Sequence, residues 1–360
     1  MKIIQVIPTL SAAGGAERFV VDLSISLQKL GNNVLIIVLY KDTYNFFQQE
    51  IEANRLRVVY LDKKKGFDYS NSKLLRKTIL NFSPDIVHTH INCHLSMKLS
   101  GLWLKRNKIK FFHTIHNVPS QECPRPILYA IMKNMYRKRI VVPITISDSL
   151  AYETQKYYKL NFTPTAIYNG VFVDKFNYSK PVVERKYTFI SIASFQPKKN
   201  QIMIARASVA LIAKGYNVRT VFLGKGKEME NVKKFVTESG CSRYITFEGQ
   251  VKNVNDFLED SKCFVLPSWF EGNPISILEA MASGTAIIAS NVGGAKDVVE
   301  EDNGYLVNPF NLDELILLME KVLIDENTLI KFSVNNVKKI LQYDMLKVAI
   351  SYINAYGLIK

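Results

Sequence analysis

Short apolar runs alternate along the chain with longer segments whose apolar residues follow helical spacing. Lys2 to Ile7 is the first run, closed by Pro8 and followed by a small-residue loop with Gly14-Gly15 and a helical pattern from Ala16 to Leu30. Val34 to Leu39, Val58 to Leu61 and Pro84 to His88 repeat the strand pattern, and Ile144 to Ser147 leads into a helix at Asp148. Nearly unbroken apolar strands separated by helices of about ten to fifteen residues predict a parallel sheet covered on both faces. Ligands of such sheets sit beyond the carboxyl ends of the strands. The pattern pauses at a polar stretch, Phe172 to Lys186, and restarts at Tyr187 to Ala193, so the chain reads as two α/β domains. The first covers residues 1–171, the linker 172–186 and the second 187–342, with a terminal segment 343–360. Two domains also suit a length of 360 residues, long for one hydrophobic core.

The densest pattern runs from Phe264 to Gly294. It reads as a buried strand (Phe264 to Leu266), a polar turn holding Glu271, a helix opened by Pro274, and a second strand (Ala286 to Ala289). Proline at a first helical position costs no hydrogen bond and would leave the amides of Ile275, Ser276 and Ile277 open, an anion-binding arrangement. Glu279 lies among Ile277, Leu278, Ala280, Met281 and Ala282, where a bare carboxylate is costly unless something donates to it, as a vicinal diol would. The plain alternative is a surface glutamate on a core helix, which the apolar residues on nearly every side oppose.

The stretch resembles the signature of glycosyltransferase family 4, retaining enzymes of the GT-B fold. The matching letters are Glu271-Gly272-x-Pro274, Leu278-Glu279-Ala280-Met281-Ala282-x-Gly284, Ala289-Ser290 and Gly293-Gly294. The resemblance implies two Rossmann-like domains facing across a cleft, with the segment from Tyr343 to Tyr356 crossing back to the first domain. It also implies that Glu271 faces the donor sugar hydroxyls, Glu279 holds the ribose diol, and the amides after Asn273-Pro274, Ile275 foremost, face the diphosphate or sugar. Weaker matches extend it. Gly14-Gly15-Ala16-Glu17-Arg18 looks like the family's first loop, implying contacts to the donor phosphates and the acceptor. Thr114-x-His116 resembles a strand-end motif whose histidine touches the donor sugar, and Tyr168-Asn169-Gly170-Val171 closes the first domain as in the family. Leu223-Gly224-Lys225-Gly226 and Phe247 to Val251 flank the nucleoside by the same analogy, the base lying near Gln250 and Val251.

Lys199, in Pro197-Lys198-Lys199-Asn200, stands at a strand end beside a helix start, where a cation can neutralise phosphate. The family pattern has an arginine five residues earlier, where this chain has Ser194. That leaves Lys199 as the principal cation unless Lys198 or Arg18 substitutes. No Asp-x-Asp occurs in the chain, so metal held that way is not expected and no cofactor is implied. Lys199, helix amides and Gly14-Gly15 are then left to stabilise the leaving diphosphate.

Charge changes the picture of partners. The net charge of +15 is concentrated in the first half, residues 1–180 carrying +14 and residues 181–360 carrying +1. Two basic, aromatic-bearing stretches, Leu102 to Lys108 and Tyr129 to Arg139, suit an anionic membrane surface. A solvated cationic face is the plain reading. Nucleic acid ranks third, since no DNA- or RNA-binding module is recognisable. The opening MKIIQVIP is too short for a signal peptide and no apolar run is long enough to span a bilayer, so a cytoplasmic, peripheral enzyme is expected. Cys93, Cys123, Cys241 and Cys263 lack paired spacing and read as free thiols.

All five histidines lie between His88 and His116. A metal cluster is one reading, though no carboxylate or cysteine stands at ligand spacing. The other is positional: His90 and His116 end strands and face ligand, while His88 and His113 are core residues. The expected activity is transfer of a sugar from a nucleoside diphosphate sugar to a hydroxyl of a lipid-linked saccharide. A non-catalytic binder of nucleotide sugar or polyanion, and a nucleotide-sugar epimerase, are the competing classes, separated by whether nucleoside diphosphate release needs an acceptor.

Overall fold

Every strand of the first sheet is parallel to its neighbours and the inner strands are buried along nearly their whole length, as the unbroken apolar runs require. A computed structural model describes residues 1–11, 14–41, 45–63, 69–93, 108–123 and 125–357. The chain divides into two units, Met1–Gly170 with Met345–Lys360, and Val171–Asp344.

In the first unit the strands are β1 (Lys2–Ile7), β2 (Asn33–Val38), β3 (Arg57–Tyr60), β4 (Ile86–His90), β5 (Lys110–Ile115), β6 (Val142–Thr145) and β7 (Thr165–Ala166). They lie in the order β3-β2-β1-β4-β5-β6-β7. Ile4, Val6, Ile37, Val87 and Phe111 belong to one core cluster of this sheet. The helix Gly15–Lys29 buries Phe19, Val20, Leu23 and Leu27, and the terminal helix Met345–Gly357 buries Val348, Tyr352 and Tyr356 in the same unit. Strand order reverses between β1 and β4, so the Gly14-Gly15 loop and the carboxyl end of β4 both stand where such a reversal opens a crevice.

The second unit holds β8 (Tyr187–Ile192), β9 (Thr220–Leu223), β10 (Ile245–Gly249), β11 (Ser261–Leu266), β12 (Ala286–Ser290) and β13 (Gly304–Val307). All pairings are parallel, in the order β10-β9-β8-β11-β12-β13, and here the reversal falls between β8 and β11. Phe189, Ile204, Phe222, Val265, Ile288 and Met319 are among the residues of its core.

The stretch 172–186 is not a free tether. It forms single helical turns at Val173–Lys175 and Val182–Glu184 and belongs to the second unit. Arg185 holds it there, 3% exposed, donating to the carbonyls of Lys180 (3.2 Å), Leu258 (3.4 Å), Ser261 (3.1 Å) and Ser283 (2.8 Å) and to Thr285 Oγ1 (3.1 Å). Burial lowers its guanidinium to about 10, so it stays charged at neutral pH and ties together carbonyls from separate segments. Arg185→Ala should cost the second unit about 3 kcal/mol or more, and Arg185→Lys should recover only part, because a single ammonium does not span forked acceptors. Thermal and urea denaturation read this directly, and an unchanged midpoint for Arg185→Ala would contradict the anchoring role.

Candidate active site

Four loops follow the adjacent parallel strands β10, β9, β8 and β11, and parallel pairing puts all four at one edge of the second sheet. The loop after β8 ends in the turn Pro197–Lys199, and Asn200 adopts a left-handed conformation (φ +55°) before the helix Gln201–Ala213. The loop after β11 carries Glu271 and leads to the helix Ile275–Ala282. The Trp269 amide donates to the Lys198 carbonyl (2.8 Å), tying the two loops together. Lys199 Nζ then donates to Glu271 Oε1 at 2.6 Å, the two side chains 18% and 7% exposed. The two strongest candidates of the sequence are therefore partners, a pairing that their separation of 72 residues hides.

The backbone of Glu271 is fixed from behind by Gly293-Gly294. The Gly294 amide donates to the Glu271 carbonyl (3.1 Å), and Gly293 takes φ +49°, where an added Cβ would lie 1.9 Å from that same oxygen. Glycine is thus required twice over, for its dihedral and for the close approach. Gly224, at φ +131°, is held likewise: its amide donates to Gly249 (2.6 Å) and a Cβ would meet the Ala193 carbonyl at 2.0 Å. Gln250 is exposed and Val251 half-buried just beyond β10.

The helix after Asn273 begins one residue later than the sequence suggests. Pro274 is its extended N-cap (φ −72°, ψ 119°), and its carbonyl accepts from the Ile277 amide at 3.1 Å. Of the three amides expected to be open, Ile277 is bonded, and Ile275 and Ser276 remain as first-turn amides without an intrahelical acceptor. Asn273 is 4% exposed. Glu279 is half-buried on this helix, as is Ser276 one turn before it, while Leu278 and Ala280 are fully buried.

Ser194, where the family has arginine, is exposed and supplies only its carbonyl, which accepts from the Gln196 amide (2.8 Å) and from Gln201 Nε2 (3.1 Å). Of the expected substitutes, Arg18 is already paired with Glu50 and with Asp22 (3.5 Å) in the first unit. Lys198 stands beside Lys199, and burial and that neighbouring charge lower its ammonium.

The remaining candidates lie in the first unit. Gly14 is the N-cap of the helix Gly15–Lys29 with an ordinary φ of −82°, and what it makes room for is Glu17, whose Oε2 would lie 2.1 Å from an added Cβ. Gly15 is exposed. His116 follows β5, 7% exposed, and its amide donates to Glu122 Oε1 (2.8 Å). His90, expected to face ligand, is instead wholly enclosed, between His116 Nε2 (3.0 Å) and Gln5 Oε1 (2.7 Å). His88 bonds Tyr356 and Thr114, and His113 bonds Thr89 and Glu122. Burial, then neighbouring imidazoles, hold His88 and His90 well below the usual range and lower His116 to about 3. These three are neutral at physiological pH and serve as donors and acceptors without charge. His94 lies outside the described residues, among which no group of three or more potential ligands could hold a metal. Gln5 and Glu122 are what the sequence reading missed; a lone glutamine in the run Lys2–Ile7 was the available signal.

Of the two basic stretches, residues 101–107 lie outside the described part. The other forms the helix Pro126–Arg137, with Arg125, Arg137, Lys138 and Arg139 exposed. Tyr136 sits in the core at 1% exposure, so the exposed apolar residue there is Ile127 (76%) rather than a tyrosine. No described helix is long and apolar enough to cross a membrane.

Residues 174–339 match the family described as glycosyl transferases group 1, and residues 13–175 match glycosyltransferase family 4. The chain belongs to this family and is a glycosyltransferase, an enzyme of two parallel-sheet Rossmann-like units of the GT-B type. It is 28% identical over 256 residues, 68% of this chain and 69% of the relative, to the capsular polysaccharide biosynthesis glycosyltransferase CapH of Staphylococcus aureus. It is 25% identical over 280 residues, 71% and 69% of the two chains, to the UDP-Gal:alpha-D-GlcNAc-diphosphoundecaprenol alpha-1,3-galactosyltransferase of Escherichia coli. HepE of Anabaena, solved in complex with UDP, superposes with a TM-score of 0.85 at 17% identity, covering 99% of this chain and 100% of that one.

Gly293→Ala should displace the Glu271 backbone, and so lower turnover about a hundredfold while the fold persists, as expected when one group is misplaced by about an ångström. Steady-state kinetics with circular dichroism checks this; turnover within twofold of wild type would show that the glycine does not position Glu271.

Proposed function

We propose that this enzyme transfers a sugar, with retention, from a UDP-sugar in preference to a GDP-sugar to a hydroxyl of a lipid-linked saccharide in surface polysaccharide synthesis. The observation that carries the reading is the half-sequestered Lys199–Glu271 pair at the β8/β11 reversal. A cation and a carboxylate held 2.6 Å apart there offer one group for a diphosphate and one for sugar hydroxyls. On this reading Lys199 and the amides of Ile275 and Ser276 take the diphosphate, Glu279 takes the ribose diol, and the base lies by Gly224, Gln250 and Val251. From the first unit, Gly14, Gly15 and His116 contact substrate. The names of the relatives support it: one acts from UDP-galactose on a diphosphoundecaprenol-linked sugar and another in capsule synthesis. HepE has also been solved with UDP and glucose.

The proposed chemistry is front-face displacement. The bond from the anomeric carbon to the diphosphate oxygen breaks as the acceptor oxygen bonds the same face. The departing oxygen takes the acceptor's proton, and nucleoside diphosphate is released. Developing charge on the diphosphate is met by Lys199 and backbone amides, so no metal ion is required. The exposed cations Arg137, Lys138 and Arg139 hold the first unit to the anionic cytoplasmic face of the membrane.

The test is product analysis. The purified enzyme, a panel of nucleotide sugars and membrane acceptor are incubated in EDTA, and the product's anomeric configuration is read by NMR. Acceptor-dependent release of UDP with a retained anomeric centre is expected. Release without acceptor, an inverted centre, or turnover that returns only on adding magnesium or manganese would each overturn part of the reading.

A further inference from the structure

The strand Lys2–Ile7 contains one polar residue in an otherwise buried run. Gln5 is 0% exposed and in register with His88 of β4. Burying an amide is costly without hydrogen bonds; Gln5 Oε1 lies 2.7 Å from His90 Nε2, and Gln5 Nε2 is buried with no hydrogen-bond partner among the described residues. His90 Nδ1 lies 3.0 Å from His116 Nε2. His116 alone of these three reaches solvent, and its Nδ1 has no hydrogen-bond partner among the described residues.

Donor and acceptor arithmetic now runs the length of the chain. A neutral imidazole carries one N–H and one lone pair. A carbonyl oxygen only accepts, so His90 Nε2 carries the proton and His90 Nδ1 the lone pair. The contact to His116 then requires Nε2–H on that ring, which leaves His116 Nδ1 as a lone pair at the open end. The other polar groups packed around the rings are hydroxyls, which can give or accept a hydrogen bond. Tyr356 Oη is 2.6 Å from His88 Nδ1, and His88 Nε2 is 2.7 Å from Thr114 Oγ1, which is 3.2 Å from Tyr352 Oη. Phe19 closes the cluster edge-on to both His90 and His116. Glu122, the nearby carboxylate, is directed at the His116 and Asn117 amides and at His113 Nε2.

We propose that Gln5 and His90 are positioning residues that hold His116 as its neutral Nε2–H tautomer, so that Nδ1 accepts a hydrogen bond from a substrate hydroxyl. The inference rests on the reading above that His116 touches substrate. It assigns the contact a direction, accepting rather than donating, and a preference for a hydroxyl over an anionic oxygen, which a lone pair repels.

The first test needs no variant. Long-range nitrogen–proton correlation spectra of the full chain labelled with nitrogen-15 histidine, at pH 7, should show His116 with a protonated Nε2 and an unprotonated Nδ1. The opposite tautomer overturns the inference, since a reversed Gln5 amide would reverse the chain. Gln5→Leu, close in volume, should mix the His116 tautomers and lower kcat about tenfold, leaving the Kd for free UDP within twofold. A fixed tautomer with unchanged kcat in that variant would also overturn it. His116→Asn, whose Oδ1 stands near the Nδ1 position, should retain more turnover than His116→Gln. If the wild-type tautomer is as stated but Gln5→Leu, His116→Asn and His116→Gln all turn over like wild type, the substrate contact itself fails.

Discussion

The pairing of Lys199 with Glu271 is the contact on which the proposed site in the second unit depends. Neither charge is comfortable where it stands, with side-chain exposures of 18% and 7%, and each is tolerable because the other is within 2.6 Å. The pair exists because two adjacent parallel strands release their loops at the same edge and because the Trp269–Lys198 backbone bond joins those loops. Gly293 gives the Glu271 backbone room to approach. A ligand bearing both a diphosphate and hydroxyls can replace each half of the pair with a better partner. On the proposed reading, the ion pair keeps the two groups in register for a substrate with that combination of groups.

The first unit treats three of its buried imidazoles in the opposite manner, by removing charge. Four histidines, two tyrosines, a glutamine and a glutamate are packed among strands β1, β4 and β5 and the terminal helix. Burial disfavours the protonated form of an imidazole, and His88, His90 and His116 are held neutral, with hydrogen bonds that a neutral ring can both give and take. One unit thus offers a charged pair and the other an uncharged hydrogen-bonding chain, and both stand where a parallel sheet reverses its strand order.

Much of this was legible from residue order alone. Apolar runs such as Lys2 to Ile7 and Phe264 to Leu266 mark strands because both faces of a parallel sheet are buried, and the Glu271-to-Gly294 signature carried the family. What escaped was set by contacts between distant residues. Arg185 turns an apparently polar linker into part of the second unit through carbonyls more than seventy residues away, such as that of Leu258. Gln5 meets His90 across 85 residues. Tyr136 looked interfacial beside Arg137, Lys138 and Arg139, yet helical geometry turns it inward while they face out. Pro274 was misplaced by one residue because its extended ψ, not its identity, decides whether the helix has begun.

The central claim is a division of labour in which Lys199 serves the diphosphate, Glu279 the ribose and Glu271 only the sugar. Calorimetric titration of free UDP into Glu271→Ala and Glu279→Ala tests it most directly, because UDP keeps the ribose and diphosphate and lacks the sugar. Glu279→Ala should weaken UDP about tenfold to a hundredfold, the cost of one charge-assisted hydrogen bond. Glu271→Ala should bind UDP at least as tightly as wild type, since it releases Lys199 from its partner. Equal weakening by both substitutions, or by neither, would contradict the account.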